Sequence, residues 1–405
     1  METNPTLLSE VIREIDDDAP RLTYADWLES EGAPECADFI RVECAFAKAS
    51  PADDDYPDLI ERKREVIARM WNRGTHRLHE NEDTESYSFH GNWHDDGDGI
   101  GHLRRGFQFC AGEPSDEHRA DESAAAVRFR DALEKLIKTT TVRALMFYGS
   151  FSRQLDKILA TPAAANLTAL EAFNAIDDPD RSVDAVKAIL SSPIASRLEW
   201  LDLDFLTAQQ ISQLGKTDKL TRMRRLELQY PEDHPASVAA MVSAAWFQGL
   251  RDVWIGLGKS SSASVLSALS KLEHLESVNL YLHNSGVLNA SSQLKFEHLG
   301  RLRFPKSSLT SADMKTLDTW SLPKLRVLAA YGCGLKQTEI RHLTKAEWAR
   351  QLRVLTLGGN RLDDKSVSIL ANSGILRGMR ILNLSWNIMS AAGLMPLAAE
   401  GVMPE

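Results

Sequence analysis

The sequence predicts an α/β solenoid preceded by an α-helical domain. Three observations predict it: a leucine motif that recurs at a near-constant interval, helix-like segments between its copies, and amphipathic stretches before the first copy. The clearest copy is LRVLTLGGNRL at 352–362, where Leu352, Leu355, Leu357, Asn360 and Leu362 fill LxxLxLxxNxL, the signature of a leucine-rich repeat. Neither the short strand nor its helix can bury an apolar face alone, so neighbouring units must stack and share one core. The expected architecture is a leucine-rich-repeat horseshoe, with a parallel β-sheet on its concave face and helices on its convex face.

The N-terminal 75 residues read as a helical bundle. Asn4 and Pro5 form an N-cap and first-turn pair, and Leu7, Leu8, Val11, Ile12 and Ile15 make the apolar stripe that follows. DDDAP at 16–20 breaks this helix. A second is expected over 21–30, stopped at Gly32, a third over 35–49 and a fourth over 57–71. Tyr24, Asp26, Trp27 and Arg41 are the most specific polar and aromatic cluster here. It is either a recognition site or a structural pairing, in which Asp26 holds Arg41 or Arg21 between helices while Trp27 packs beneath.

The stretch APRLTYADWLESEGAPECADFIRVECAFAK at 19–48 resembles the bacterial repeat-companion domain, which precedes leucine-rich repeats. Pro20, Arg21, Leu22, Tyr24, Ala25, Asp26, Trp27, Leu28, Glu29, Gly32, Phe39, Ile40 and Arg41 carry the resemblance. Cys36, Ala37 and Asp38 depart from the GEF or AEF usual before Ile-Arg. HLRRGFQF at 102–109 is similar to the strand that opens the array in that family. The resemblance implies a bacterial source and an architecture; it implies no reaction and no catalytic residue.

Residues 76–101 form a polar insertion rich in Gly, His and Asp. An EF-hand register from His94 places Asp96, Asp98 and Gly99 suitably but puts Arg105 where a bidentate glutamate is required, so that register fails. A zinc or calcium site of another kind, built from histidine and carboxylate among His90, His94, Asp95, Asp96, Asp98 and His102, stays open beside the plainer reading of a solvated glycine-rich loop. No spaced cysteine pairs, GxSxG, HExxH or P-loop occur, and GLGKSSS at 256–262 lacks the phosphate-binding spacing. No cofactor, resident metal or catalytic residue is expected.

From 102 to 405 the array is expected to contain a cap strand and about ten repeats. The third apolar anchor of each falls at Phe147, Ala172, Leu203, Leu228, Ile255, Leu280, Phe304, Ala330, Leu357 and Leu384. SVDAVKAILSS at 182–192 and SVAAMVSAAW at 237–246 are typical of the helical segments between them. The asparagine slot, filled by Asn360, Asn387 and, as a variant, Cys333, should satisfy backbone groups where the chain leaves the strand. The residues flanking the second and third leucines should point away from the core. These are Glu171, Trp200, Asp202, Asp204, Arg225, Glu227, Trp254, Asn279, Tyr281, Arg301, Arg303 and Tyr331, with Asn383 and Ser385 in the last repeat. Trp200, Trp254, Tyr281 and Tyr331 are expected to be exposed, on a face running from acidic near Asp202 to basic near Arg303.

The chain carries a net charge of −10, distributed unevenly. Residues 1–100 hold 25 acids against 10 basic residues, and the remainder 32 against 37. An acidic N-terminal domain and a dilute positive remainder disfavour nucleic acid and favour protein as the partner. No apolar stretch of membrane-spanning length occurs, and the N-terminus is acidic where a signal peptide would be basic, so a cytoplasmic, non-membrane protein is expected. The sequence therefore points to a non-enzymatic scaffold, adaptor or inhibitor that holds a protein on its concave face. The alternative is a substrate-recognition or sensor subunit of an enzyme system. The last repeat is expected to leave its core edge open to self-association.

Overall fold

The computed structural model describes residues 4–72, 103–104, 107–108, 110–112, 137–138, 141, 143–148, 155–173, 185–228, 231 and 233–403. The His- and Asp-rich stretch at 89–102 lies outside the described residues. The chain divides into two compact units. One comprises Met1–Ala49 with Asp58–Leu201, and the other Ser50–Pro57 with Asp202–Glu405.

In the first unit, helices α1 (Pro5–Arg13), α2 (Ala19–Ser30), α3 (Pro34–Phe46) and α4 (Tyr56–Asn72, from its third residue) follow the expected boundaries closely. The Asn4 side chain accepts from the Leu7 amide (3.1 Å) and caps α1. Gly32 takes a φ of 82° after α2, where any Cβ would be strained. Val11, Ala25, Leu28, Phe39, Ile40, Val42 and Val66 form the core of the bundle. Leu103–Arg104 (β1) and Phe107–Gln108 (β2) pair antiparallel. The expected cap strand at 102–109 is thus corrected: its described residues, Leu103–Arg104 and Phe107–Gln108, make a local pair, and the strand laid parallel beside the first repeat is Cys110–Gly112 (β3), which pairs with Ala144–Tyr148 (β4). β4 in turn pairs with Ala169–Phe173 (β5).

The second unit is a leucine-rich-repeat solenoid. After β6 (Trp200–Leu203), within which the two units divide, come β7 (Arg225–Leu228), β8 (Asp252–Leu257), β9 (Ser277–Leu282), β10 (Arg301–Arg303), β11 (Val327–Ala329), β12 (Val354–Thr356) and β13 (Ile381–Asn383). Every pair from β7 to β13 is parallel and in constant register, so that Leu226, Val253, Val278, Leu302, Leu328, Leu355 and Leu382 lie side by side. All but Leu382 are at most 3% exposed. Each such buried side chain contributes roughly 1.5–3 kcal/mol.

Helices return the chain between strands: Ala208–Lys216, Pro235–Val242, Ser262–Leu269, Ser311–Asp318, Gln337–Leu343 and Asp364–Asn372. Their starts are specified locally. Thr207 and Gln210, and likewise Thr310 and Asp313, form capping boxes, while Asp363 accepts from the Ser366 amide. Tryptophans on the helical side lock successive repeats together. Trp246 Nε1 donates to the Leu214 carbonyl (3.0 Å), Trp320 to Ser291 (2.6 Å) and Trp348 to Leu317 (3.1 Å). No helix among the described residues is long and apolar enough to cross a membrane.

Candidate functional site

The asparagine slot shows how the strand face is held rigid. Asn360 Nδ2 donates to the carbonyls of Ala330 (2.8 Å), Leu357 (2.9 Å) and Gly358 (3.1 Å), and its Oδ1 accepts from the amides of Cys333 (2.9 Å) and Leu335 (3.0 Å). One side chain thus ties two consecutive turns together, as its position in the motif predicts. Asn387 repeats the arrangement on Leu357, Leu384 and Leu362. Ser307 occupies the slot with a hydroxyl that donates to Leu280 (3.0 Å) and accepts from the Leu282 amide (2.9 Å). Cys333 donates its thiol to the Phe304 carbonyl (2.9 Å), and burial pushes that thiol up to about 12, so it is no nucleophile at neutral pH.

Because side chains alternate along a strand, the register lays two rows across the outward face of the second unit. One runs Arg225, Asp252, Ser277 and Arg301, then Val327, Val354 and Ile381. The other runs Glu227, Trp254, Asn279 and Arg303, then Ala329, Thr356 and Asn383. Arg225, Glu227, Trp254, Asn279, Arg301 and Arg303 therefore do share one face. Asp252 and Ser277, which the sequence reading did not single out, stand between them. Their shared register with Arg225 and Arg301 is the signal that would have found them.

Asp252 is the hinge of the first row. Its carboxylate lies 3.5 Å from Arg301 and 4.0 Å from Arg225, while Arg225 closes on Glu227 at 2.6 Å and Arg301 Nε donates to Ser277 (2.9 Å). Partial desolvation opposes the charge on Arg225, whose side chain is still 45% exposed, but Glu227 and Asp252 outweigh it and raise its pKa. The expectation of an exposed face graded from acidic to basic is corrected accordingly. Asp202, Asp204, Glu227, Asn279 and Arg303 are buried, and Trp254, Tyr281 and Tyr331 are half-buried, as is Trp200 in the first unit. Glu171, also in the first unit, is half-buried.

The reason is spacing: parallel strands lie about 4.8 Å apart, so long side chains in one row lean on their neighbours and charges in it pair internally. Tyr331 demonstrates the leaning. A Cβ added to Gly358 or Gly359 would come within 3.0 Å of its ring, so the tyrosine folds over the next turn. Tyr281 sits edge-on to His283, centroids 5.1 Å apart, and burial lowers the His283 pKa.

Two further features escaped the sequence reading. The segment Ser50–Pro57 belongs to the second unit, where its backbone runs over Gly300 so closely that any side chain there would collide with Pro51 and Ala52. Asp54 pairs with Arg326 (3.1 Å), and Arg301 donates to the Tyr56 hydroxyl (3.3 Å). An open cleft of about 740 Å³ beside this strap is lined by groups of both signs, among them Asp53, Glu276, His298 and Lys324. In the turn at 256–262, Asp233 accepts from the amides of Ser260 and Ser261 (2.9 Å each), so the helix start that resembled a phosphate loop binds the chain's own carboxylate.

In the first unit Arg41 reaches Asp26 (2.7 Å) and Glu29 (2.6 Å), and hydrogen bonds to both raise its pKa. Arg21 instead donates to the carbonyls of Ile15 and Asp17, and Trp27 meets Tyr24 edge-on. Arg41, not Arg21, is therefore the partner of Asp26. Among the described residues, no group of three or more His, Cys, Asp or Glu side chains is placed to hold a metal ion.

No protein-family model matches the chain, and no curated protein sequence does. Solved structures resemble it at a distance. A chain of a TLR13–ssRNA13 complex is 18% identical with a TM-score of 0.36, over 62% of this chain and 36% of that one. A Bacteroides fragilis protein is 15% identical with a TM-score of 0.42, over 70% and 81%. A chain from the yeast Rad7–Elc1 complex is 15% identical with a TM-score of 0.40, over 64% and 65%. This chain thus spans little more than a third of the TLR13 chain. At such identities and scores these likenesses carry no argument about function.

Proposed function

We propose that the chain is a non-enzymatic scaffold whose second unit holds a partner protein along the outward face of strands β7–β11. The observation that carries this reading is the in-register outward face, where half-buried Trp254 lies two residues along β8 from Asp252, the carboxylate between Arg225 and Arg301, and half-buried Tyr281 lies two residues along β9 from Asn279. Aromatic and arginine side chains whose rotamers are already restrained by neighbours lose little entropy on binding, which is what a recognition surface needs. The motif resemblance of residues 19–48 extends the proposal: the helical bundle is a repeat-companion domain and the protein acts in a bacterial cytoplasm.

The test replaces Trp254 and Tyr281 together by alanine in the full chain, used as bait in lysate of the native host with bound proteins identified by mass spectrometry. Partners retained by the parent should bind the variant about 2–4 kcal/mol more weakly, with the thermal melt confirming that the variant is folded. Undiminished capture of the same partners would place binding on another surface.

A further inference from the structure

We propose that the rim where the chain enters β11, β12 and β13 binds an acidic peptide segment of a partner protein, on the same track that the chain's own acidic strap occupies at β11. This goes beyond the outward-face reading and does not depend on it.

The track is a column set by the repeat. One residue before each strand from β7 to β13 stand Arg224, Arg251, Glu276, Gly300, Arg326, Arg353 and Arg380. Each after the first donates its amide to the carbonyl of the one before, so the column is continuous. Neighbouring members are about 4.8 Å apart, a spacing at which like charges repel.

The chain neutralises the middle of this column itself. Glu276 stands in it and pairs with Arg251 (3.6 Å). The strap crosses at Gly300, and Asp54, the middle of three consecutive aspartates, pairs with Arg326 (3.1 Å).

Beyond Arg326 the cations are left without such partners. The segments 322–326, 349–353 and 376–380, which lead into β11, β12 and β13, hold six cations and no acid. Lys324, Arg350, Arg377 and Arg380 are exposed and make no ion pair among the described residues. Arg353 is half-buried and held in place: its Nη1 donates to the carbonyls of Gln351 (3.4 Å) and Leu352 (3.3 Å). The same nitrogen lies where a Cβ on Gly378 would meet it at 2.5 Å. Its guanidinium therefore reaches into the next repeat at Gly378, which Arg377 and Arg380 flank in the chain.

Cations gathered without counter-charge raise the energy of the isolated fold, and an arriving anion relieves it. The strap shows which anion the column accepts: a carboxylate carried on a peptide that crosses the rim. Guanidinium and carboxylate match as paired donors and acceptors. An acidic segment laid across β11–β13 extends the Asp54–Arg326 pairing by two repeats. A nucleic-acid strand would bring charge too, but the three segments carry no aromatic side chain on which its bases could stack.

Fluorescence anisotropy of labelled decaglutamate with the full chain tests the proposal. The parent should bind the probe, and more weakly as salt is raised. Arg350→Glu combined with Arg380→Glu should weaken binding about tenfold or more. Lys315→Glu combined with Lys345→Glu, the same change of net charge on the helical side, should stay within about twofold of the parent. All four side chains are exposed, so the thermal melts should stay close to that of the parent. No binding by the parent, a rim variant that binds as tightly as the parent, or a helical-side control that loses as much as the rim variant would each overturn the proposal. So would a single-stranded RNA decamer held more tightly than the peptide and with the same dependence on Arg350 and Arg380, which would make the rim a nucleic-acid site.

Discussion

Asn360 makes five hydrogen bonds to the backbone of two turns from one side chain. It is 5% exposed and satisfies backbone groups of two turns at once, so alanine there would strand several buried donors and acceptors. Asn360→Ala should cost about 3 kcal/mol in chemical denaturation. Asn387→Ala, with the same kind of contacts at a more exposed position, should cost about half as much. Asp233 makes a pH-dependent contribution. Burial alone would raise its pKa, but the hydrogen bonds from Ser260 and Ser261 prevail and hold it below the ordinary value. A depressed folded-state pKa means stability that is present above the unfolded-state value and lost as pH falls through the folded-state one. Asp233→Asn should therefore lower stability near neutrality and flatten the acid limb of a melting-temperature profile. An unchanged acid limb would remove Asp233 from the account.

At the scale of elements, the strap Ser50–Pro57 joins two helices in sequence but by its contacts belongs with β9–β11. Gly300 is the point of closest approach, and the lack of a side chain there is a steric requirement of the strap's backbone. Gly300→Ala should displace the strap and expose it, read as faster limited proteolysis within 50–57 and a melting temperature lower by several degrees. The adjacent Leu299 is buried, so the control is Ser308→Ala, at an exposed position in a nearby turn, which should leave both readouts at the parent's values. The start of α1 was legible in sequence because the Asn4 cap acts within three residues. The strap was not, because its partner lies some 250 positions away.

For the whole molecule, a repeat array is only as stable at each point as its nearest neighbours make it. Among the described residues β13 has one neighbouring strand and half-buried leucines, whereas β8 and β9 have a strand on either side. Hydrogen exchange should rank accordingly, with the amides of Ile381–Asn383 opening well before those of Val253–Ile255 and Val278–Leu280. Uniform protection from β8 to β13 in dilute protein would contradict nearest-neighbour stability.

The sequence by itself determined the anchors from Leu203 to Leu384, the helices between them, the helical bundle near the N-terminus and the bridging role of Asn360. Each follows from contacts within a repeat or between adjacent ones, so a period and a residue type suffice to state it. The tertiary structure decided which outward residues are available. Register brought Asp252 between Arg225 and Arg301, strand spacing buried Asp202, Asp204, Glu227, Asn279 and Arg303, and Tyr331 was laid over Gly358 and Gly359. Alternation along one strand tells which way a side chain points. Whether it stays exposed depends on its neighbours about 4.8 Å to either side, which lie a full repeat away in the chain.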